Sequence, residues 1–183
     1  MKASIFGLGY VGCVSVACLS NSGFGVIGVD INKHKVKLVN QGLPTIVEEK
    51  VSELLLQGHN AKLIHATTDA NVAVMQTEVS FVCVGTPVEP NGLLSMDTIY
   101  SVANDIGNAL SVKDEFHLVV IRSTVLPGTN EKFGKIVEHA SGKKRGIHFD
   151  IVSNPEFIRE GSAVDDYYNP AYILLGSKSK RAN

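Results

Sequence analysis

A chain of 183 residues, 44% of them hydrophobic, can hold one domain with a sizeable core, or one domain and the beginning of another; two complete domains would be cramped. The net charge of −1, with 17 basic residues scattered among 18 acidic ones, leaves no footprint for nucleic acid or an anionic membrane. No apolar run approaches the ~20 residues that span a bilayer, and the N-terminus opens on a strand pattern instead of a signal peptide, so a cytoplasmic location is expected.

Taken in order, residues 2–6 are a short apolar run of strand type, residues 7–12 are glycine-rich, and a helical pattern then runs to Ser22. Residues 25–30 close this unit as a second strand ending in the carboxylate of Asp30. The spacing predicts a helix over 32–41, with Asn32 as N-cap, Val36 and Val39 on its apolar stripe and Gly42 as its stop signal. Residues 44–48 read as a loop, and Val51, Leu54 and Leu55 mark a helix over 49–57. A short strand is expected at 62–66, and Thr68 and Asp69 start another helix. Residues 79–84 form a nearly continuous apolar strand of the kind buried on both faces of a parallel sheet, and it runs straight into Gly85, Thr86 and Pro87.

Beyond it come a turn signal at 90–92, a helix over 96–110 and a buried strand at 117–121. That strand exits through Arg122, Ser123 and Thr124 towards Pro127 and Gly128. A helix over 129–139 leads to a basic loop at 141–146, expected to be solvated. A strand at 149–152 ends in Ser153, Asn154, Pro155, Glu156, Phe157, Ile158, Arg159 and Glu160, and residues 172–175 read as the last strand. This alternation predicts an α/β fold, a doubly wound parallel sheet with right-handed crossovers, formed as a single domain over 1–183. Ligands of such sheets lie outside the carboxyl ends of the strands. Residues 7–12, Asp30, Thr86, Thr124 and 156–160 should therefore meet at one crevice.

The pattern Gly7-Leu8-Gly9-Tyr10-Val11-Gly12, between a strand and a helix, is that of a Rossmann dinucleotide-binding turn. Gly7 permits the tight turn, Gly9 lets the backbone approach a pyrophosphate and Gly12 lets the helix pack on the strand. The phosphates would sit at the helix N-terminus, where unpaired N–H groups and the positive end of the dipole favour an anion. Asp30, 18 residues beyond Gly12, is placed to accept hydrogen bonds from an adenosine ribose diol. A glycine-rich turn that binds nothing is the bland alternative.

Thr86 and Thr124 each follow a buried strand, where a hydroxyl can meet cofactor or substrate; capping a strand exit is the ordinary use of such a threonine. Glu156 and Glu160 are four apart, so in a helical turn they share a face, and a like-charged pair in a cleft can raise one pKa towards general-base use. Acids complementing a helix N-terminus, with Pro155 at its first position, are the structural alternative. Cys13, Cys18 and Cys83 lack any C-x-x-C spacing, so they read as reduced core thiols; neither a disulfide framework nor a metal site is suggested.

Together, residues 5–12, Val84-Gly85-Thr86-Pro87, residues 122–129 and residues 154–160 resemble the UDP-glucose/GDP-mannose dehydrogenase family over essentially the whole chain. The resemblance implies oxidation of the C6 alcohol of a nucleotide-linked hexose to a carboxylate, with two NAD⁺ used in succession and a cysteine thiohemiacetal and thioester between. It implies NAD contacts from Tyr10, Val11, Asp30, Lys35, Thr86 and Thr124. Thr124 would also help place the hydrolytic water. Glu160 would be a substrate-side glutamate and candidate base for water attack on the thioester, with Glu156 beside it at the substrate.

The same resemblance places the catalytic cysteine, a substrate lysine and asparagine, and the nucleotide-sugar domain beyond residue 183, so the chain is expected to be the N-terminal NAD domain of a longer homo-oligomeric enzyme. Within the family, residues 140–146 and Asn169-Pro170-Ala171 look more like GDP-mannose 6-dehydrogenases, which form GDP-mannuronate. Residues 149–154 suit UDP-glucose 6-dehydrogenases equally well. A reading of another class is a non-catalytic NAD-sensing module, which would have no use for 154–160 or for Thr124 at a strand exit.

Overall fold

The computed structural model describes residues 1–90, 92–177 and 179. Six strands form one sheet: β1 Lys2–Phe6, β2 Gly25–Val29, β3 Ile64–Thr67, β4 Val79–Val82, β5 His117–Ile121 and β6 Phe149–Ser153. Their spatial order is β3-β2-β1-β4-β5-β6 and every pairing is parallel. The expected doubly wound Rossmann architecture is thus observed. The order reverses between β1 and β4, so the crossovers diverge there and leave a crevice at the carboxyl ends of those two strands.

Seven helices connect and flank the strands among the described residues: α1 Tyr10–Asn21, α2 Lys33–Asn40, α3 Val51–Asn60, α4 Ala70–Met75, α5 Asp97–Leu110, α6 Thr129–Ser141 and α7 Ala163–Tyr168. None of them is long and apolar enough to cross a membrane. Alternate strand residues face opposite layers. Ile5 packs with α1, α3 and α7, while Phe6 packs with α4, α5 and α6. Both layers are predominantly apolar, which is why β1 and β4 read as nearly continuous apolar runs rather than alternating ones.

The local signals decide most boundaries. The Asn32 side chain accepts the His34 and Lys35 amides, and Asp69 does the same for Asn71 and Val72, each capping a helix as its position implied. Cys13 and Cys18 are both buried because α1 is covered nearly all round, and all three thiols are free. Burial pushes Cys18 and Cys83 up to about 12, which leaves them un-ionised.

Three expectations need correction. Residues 172–175 are not a strand: Tyr172, Ile173, Leu174 and Leu175 are exposed, the Asn154 side chain donates to the Leu174 carbonyl, and Gly176 just beyond forms an isolated antiparallel bridge with Ser153. The basic loop is not merely solvated, because Arg145 pairs with Asp150 at 3.0 Å and with Glu131 at 3.5 Å, while Lys143 donates to the Lys113 carbonyl. No helical turn forms over 155–160; the backbone is irregular there and α7 begins three residues later. The turn signal at 90–92 includes Asn91, outside the described residues, but Val88 and Leu94 pair antiparallel on either side of it. Residues 178 and 180–183 of the C-terminal segment also lie outside the described residues.

Candidate functional site

The floor of the crevice is backbone. Gly7 lies at φ +94°, a left-handed conformation that suits glycine, and a Cβ there would meet the Cys83 carbonyl oxygen at 2.9 Å. The Cys83 amide in turn donates to the Phe6 carbonyl at 2.8 Å, so the exits of β1 and β4 lie against each other. Gly12 has a different reason to be glycine: a Cβ would stand 1.8 Å from the Gly7 carbonyl oxygen, so helix α1 can sit this close to the turn only without a side chain.

Gly9 has no such reason within the fold. Its φ of −80° is open to any residue, and nothing lies within 4 Å of where its Cβ would be. It is also the N-cap of α1 and supplies no side-chain cap, so the first amides of the helix keep their donors for another partner. A glycine that neither strain nor crowding requires, at an uncapped helix N-terminus, is what close approach of a phosphate demands.

Asp30 stands at the end of β2. Its Oδ2 accepts the Leu8 amide at 2.7 Å and its Oδ1 the Asn32 amide at 2.8 Å, with the Lys35 ammonium 3.7 Å away. Two carboxylate oxygens have about four acceptor positions, so two amides leave capacity for a diol. Across the switch point, the Thr86 hydroxyl donates to the Thr124 carbonyl at 3.0 Å, and Ser123 Oγ donates to the Val84 carbonyl at 2.7 Å. The exits of β4 and β5 are thereby joined, with Thr124 exposed at their rim.

The two glutamates part company. The Glu156 carboxylate accepts the Ile158 amide at 2.8 Å and lines a cavity of about 550 Å³ with Arg122, Asn154 and Tyr167. Glu160 is exposed in the turn before α7, on the Tyr10 side. Val11 is half-buried against the α1 core layer. The Tyr10 hydroxyl donates to Glu48; burial, then this contact with Glu48, push its pKa up to about 12.

Residues 1–183 match the UDP-glucose/GDP-mannose dehydrogenase family, NAD binding domain. The chain belongs to this family. It is 47% identical to GDP-mannose 6-dehydrogenase of Pseudomonas aeruginosa, over 99% of this chain and 42% of that protein. With a UDP-glucose 6-dehydrogenase of Haloferax volcanii it shares 39% identity, over 100% of this chain and 42% of the relative. Among solved structures, a ternary complex of the Pseudomonas aeruginosa GDP-mannose dehydrogenase superposes with a TM-score of 0.98 at 46% identity, covering 100% of this chain and 42% of that one. The chain thus spans about 42% of the length of these relatives.

As the family's NAD binding domain, the chain has residues that fit the dinucleotide: open space over Gly9, an uncapped α1 and a buried carboxylate with spare acceptors at Asp30. Two groups at the crevice escaped the sequence reading. Arg122 donates to Asn154 Oδ1 at 3.1 Å and faces the Tyr167 ring, while its buried Nε has no partner among the described residues. Glu48, read as part of a loop, collects three donors from two distant segments. Neither has a local pattern to betray it, since every partner named here is at least 32 residues away.

Proposed function

We propose that this chain is the NAD-binding domain of a nucleotide-sugar 6-dehydrogenase that oxidises GDP-mannose to GDP-mannuronate in two NAD-dependent steps. The observation that carries this reading is the greater likeness to GDP-mannose 6-dehydrogenases than to the UDP-glucose enzyme, 47% against 39% identity over nearly the same residues. Gly7, Gly9, Gly12, Tyr10 and Val11 would hold the pyrophosphate end of the cofactor, Asp30 and Lys35 its ribose, and Thr86 and Thr124 its far half. When bound, NAD⁺ supplies the hydride acceptor. Glu160 would hold and deprotonate water on the substrate side, with Thr124 orienting it and Glu156 lining the approach. A cytoplasmic, homo-oligomeric enzyme with no nucleic-acid or membrane partner completes the reading.

The test is NADH formation by the whole protein that carries this chain, with GDP-mannose and UDP-glucose compared. Two NADH per GDP-mannose and a clear preference for that sugar are expected; faster turnover of UDP-glucose would overturn the substrate, and no turnover of either would favour the sensing module. Residues 1–183 alone should bind NAD⁺ and oxidise neither sugar. None of their cysteines is an ionised, exposed nucleophile: all three are buried, and burial raises each thiol above its ordinary range.

Asp30 also predicts a preference for NAD⁺ over NADP⁺, because a 2′-phosphate would meet its charge. Asp30→Ala should narrow the preference by about tenfold, or about 1.4 kcal/mol. It should also weaken binding of both, since the Leu8 amide loses its acceptor. Equal affinities of the unaltered chain for the two cofactors, measured by calorimetry, would remove that role from Asp30.

A further inference from the structure

Glu48 lies in the segment between α2 and α3, far in sequence from everything it binds. Its Oε2 accepts the Tyr10 hydroxyl and the Gly161 amide, the latter at 2.8 Å, and its Oε1 accepts the Ala163 amide at 3.1 Å. Tyr10 is the first residue of α1, directly after the open glycine. Gly161 and Ala163 frame the turn between Glu160 and α7. One carboxylate therefore touches the dinucleotide turn on one side and the Glu160 turn on the other.

The rest of its segment is built the same way. Thr45 Oγ1 donates to the Leu8 carbonyl at 2.8 Å, inside the glycine-rich turn, and Lys50 Nζ reaches Asp165 Oδ1 at 2.8 Å, on α7. Meanwhile α7 is only six residues long, and its N-cap, Ser162, makes no side-chain cap bond. A helix of that length is marginal alone. The Ala163 amide at its start and the Gly161 amide just before it both donate to Glu48, so the Glu160 turn is tied to a residue that also holds Tyr10. Those bonds favour the ionised form and hold the Glu48 carboxyl below its usual range.

We propose that Glu48 is a positioning residue that holds the Glu160 turn in register with the dinucleotide turn, so that an occupied cofactor site tightens the substrate side of the crevice. This rests on the function proposed above, and it assigns Glu48 no contact with either ligand. The alternative is that Glu48 merely caps α7. The two differ in one respect: a simple cap does not need Tyr10.

Amide hydrogen exchange of residues 1–183, with and without saturating NAD⁺, separates them. In the unaltered chain NAD⁺ should slow exchange at Gly161 and Ala163 by about tenfold or more. Tyr10→Phe keeps both cap bonds but cuts the link to the helix, so NAD⁺ should leave those two amides unchanged once the variant is saturated. Glu48→Gln should speed their exchange with or without cofactor and lower the pH at which Tyr10 ionises, as seen in its ultraviolet spectrum. Equal NAD⁺-dependent protection in Tyr10→Phe and the unaltered chain would reduce Glu48 to a cap and overturn the proposal. Calorimetry on the same samples tells the two ideas apart: bound NAD⁺ without added protection overturns the role of Glu48 alone, and no binding overturns the proposed function and this role with it.

Discussion

Two glycines three residues apart should fail in opposite ways. Gly12→Ala is expected to cost at least about 3 kcal/mol of stability, because its Cβ would stand 1.8 Å from a carbonyl oxygen and only a shift of α1 or the turn can relieve that. For a chain of this size the melting temperature should fall by roughly 10 °C. Gly9→Val should leave folding nearly intact, since its backbone angles are ordinary and no atom lies within 4 Å of the new Cβ. NAD⁺ affinity should nevertheless drop by about a hundredfold or more, about 2.7 kcal/mol, because in the proposed site the valine would take the space the phosphates need. Thermal melts and calorimetry on both variants check the pair. A folded Gly9→Val that binds NAD⁺ undiminished would place the dinucleotide elsewhere.

The second large effect lies at the opposite end of the sheet. The buried Lys113 ammonium donates to the Val74 carbonyl at 2.7 Å, to the Thr77 carbonyl and to His117 Nδ1 at 3.2 Å, which uses all three of its donors. His117 therefore carries its proton on Nε2 and donates to Ser80 Oγ at 2.7 Å, and Ser80 meets Ser4 at 2.7 Å. The chain of hydrogen bonds crosses β5, β4 and β1. Lys113→Met would remove a donor from three buried acceptors and should cost about 3 kcal/mol.

The same network sets a pH dependence. Burial, and then the Lys113 charge, hold His117 down to about 3. An unfolded histidine takes up its proton near 6.5. The unfolded chain thus binds a proton that the folded chain refuses, so this stability is complete above about pH 6.5 and is lost as the pH falls towards 3, by up to about 1.4 kcal/mol per unit. Urea midpoints should fall from about pH 6.5 to about pH 4.5 and fall less steeply in His117→Asn. Identical slopes in both proteins would exclude His117 as the cause.

Most of the architecture was legible because its determinants are local. Asn32 and Asp69 cap helices through residues two and three positions away, and β4 and β5 announce their burial by composition. The proposed cofactor side was legible for the same reason: glycines, helix start and acid lie within 30 residues. The proposed substrate side was not. The segment 155–160 carries a helical spacing of acids, yet Glu156 turns back on the Ile158 amide, and the helix forms only at α7, where the Gly161 and Ala163 amides find Glu48. Residues 172–175 have strand-like composition, but Asn154 takes the Leu174 carbonyl and Gly176 pairs with Ser153, which leaves the four apolar side chains exposed. Composition reports what a segment prefers and says nothing of which partner reaches it first.

The placement of β1 between β2 and β4 also governs the order of assembly. Strands β1, β2 and β3 pair through successive crossovers, but the other edge of β1 waits for β4, whose Ser80 lies 76 residues from its partner Ser4. Loop closure over that distance must be completed before the contact repays it. Until then Gly7 has no Cys83 backbone beneath it, and the glycine-rich turn proposed to hold the phosphates lacks its floor. As the chain emerges during synthesis, nucleotide affinity should therefore appear as a step after residue 83 is released, rather than growing with the first βαβ unit.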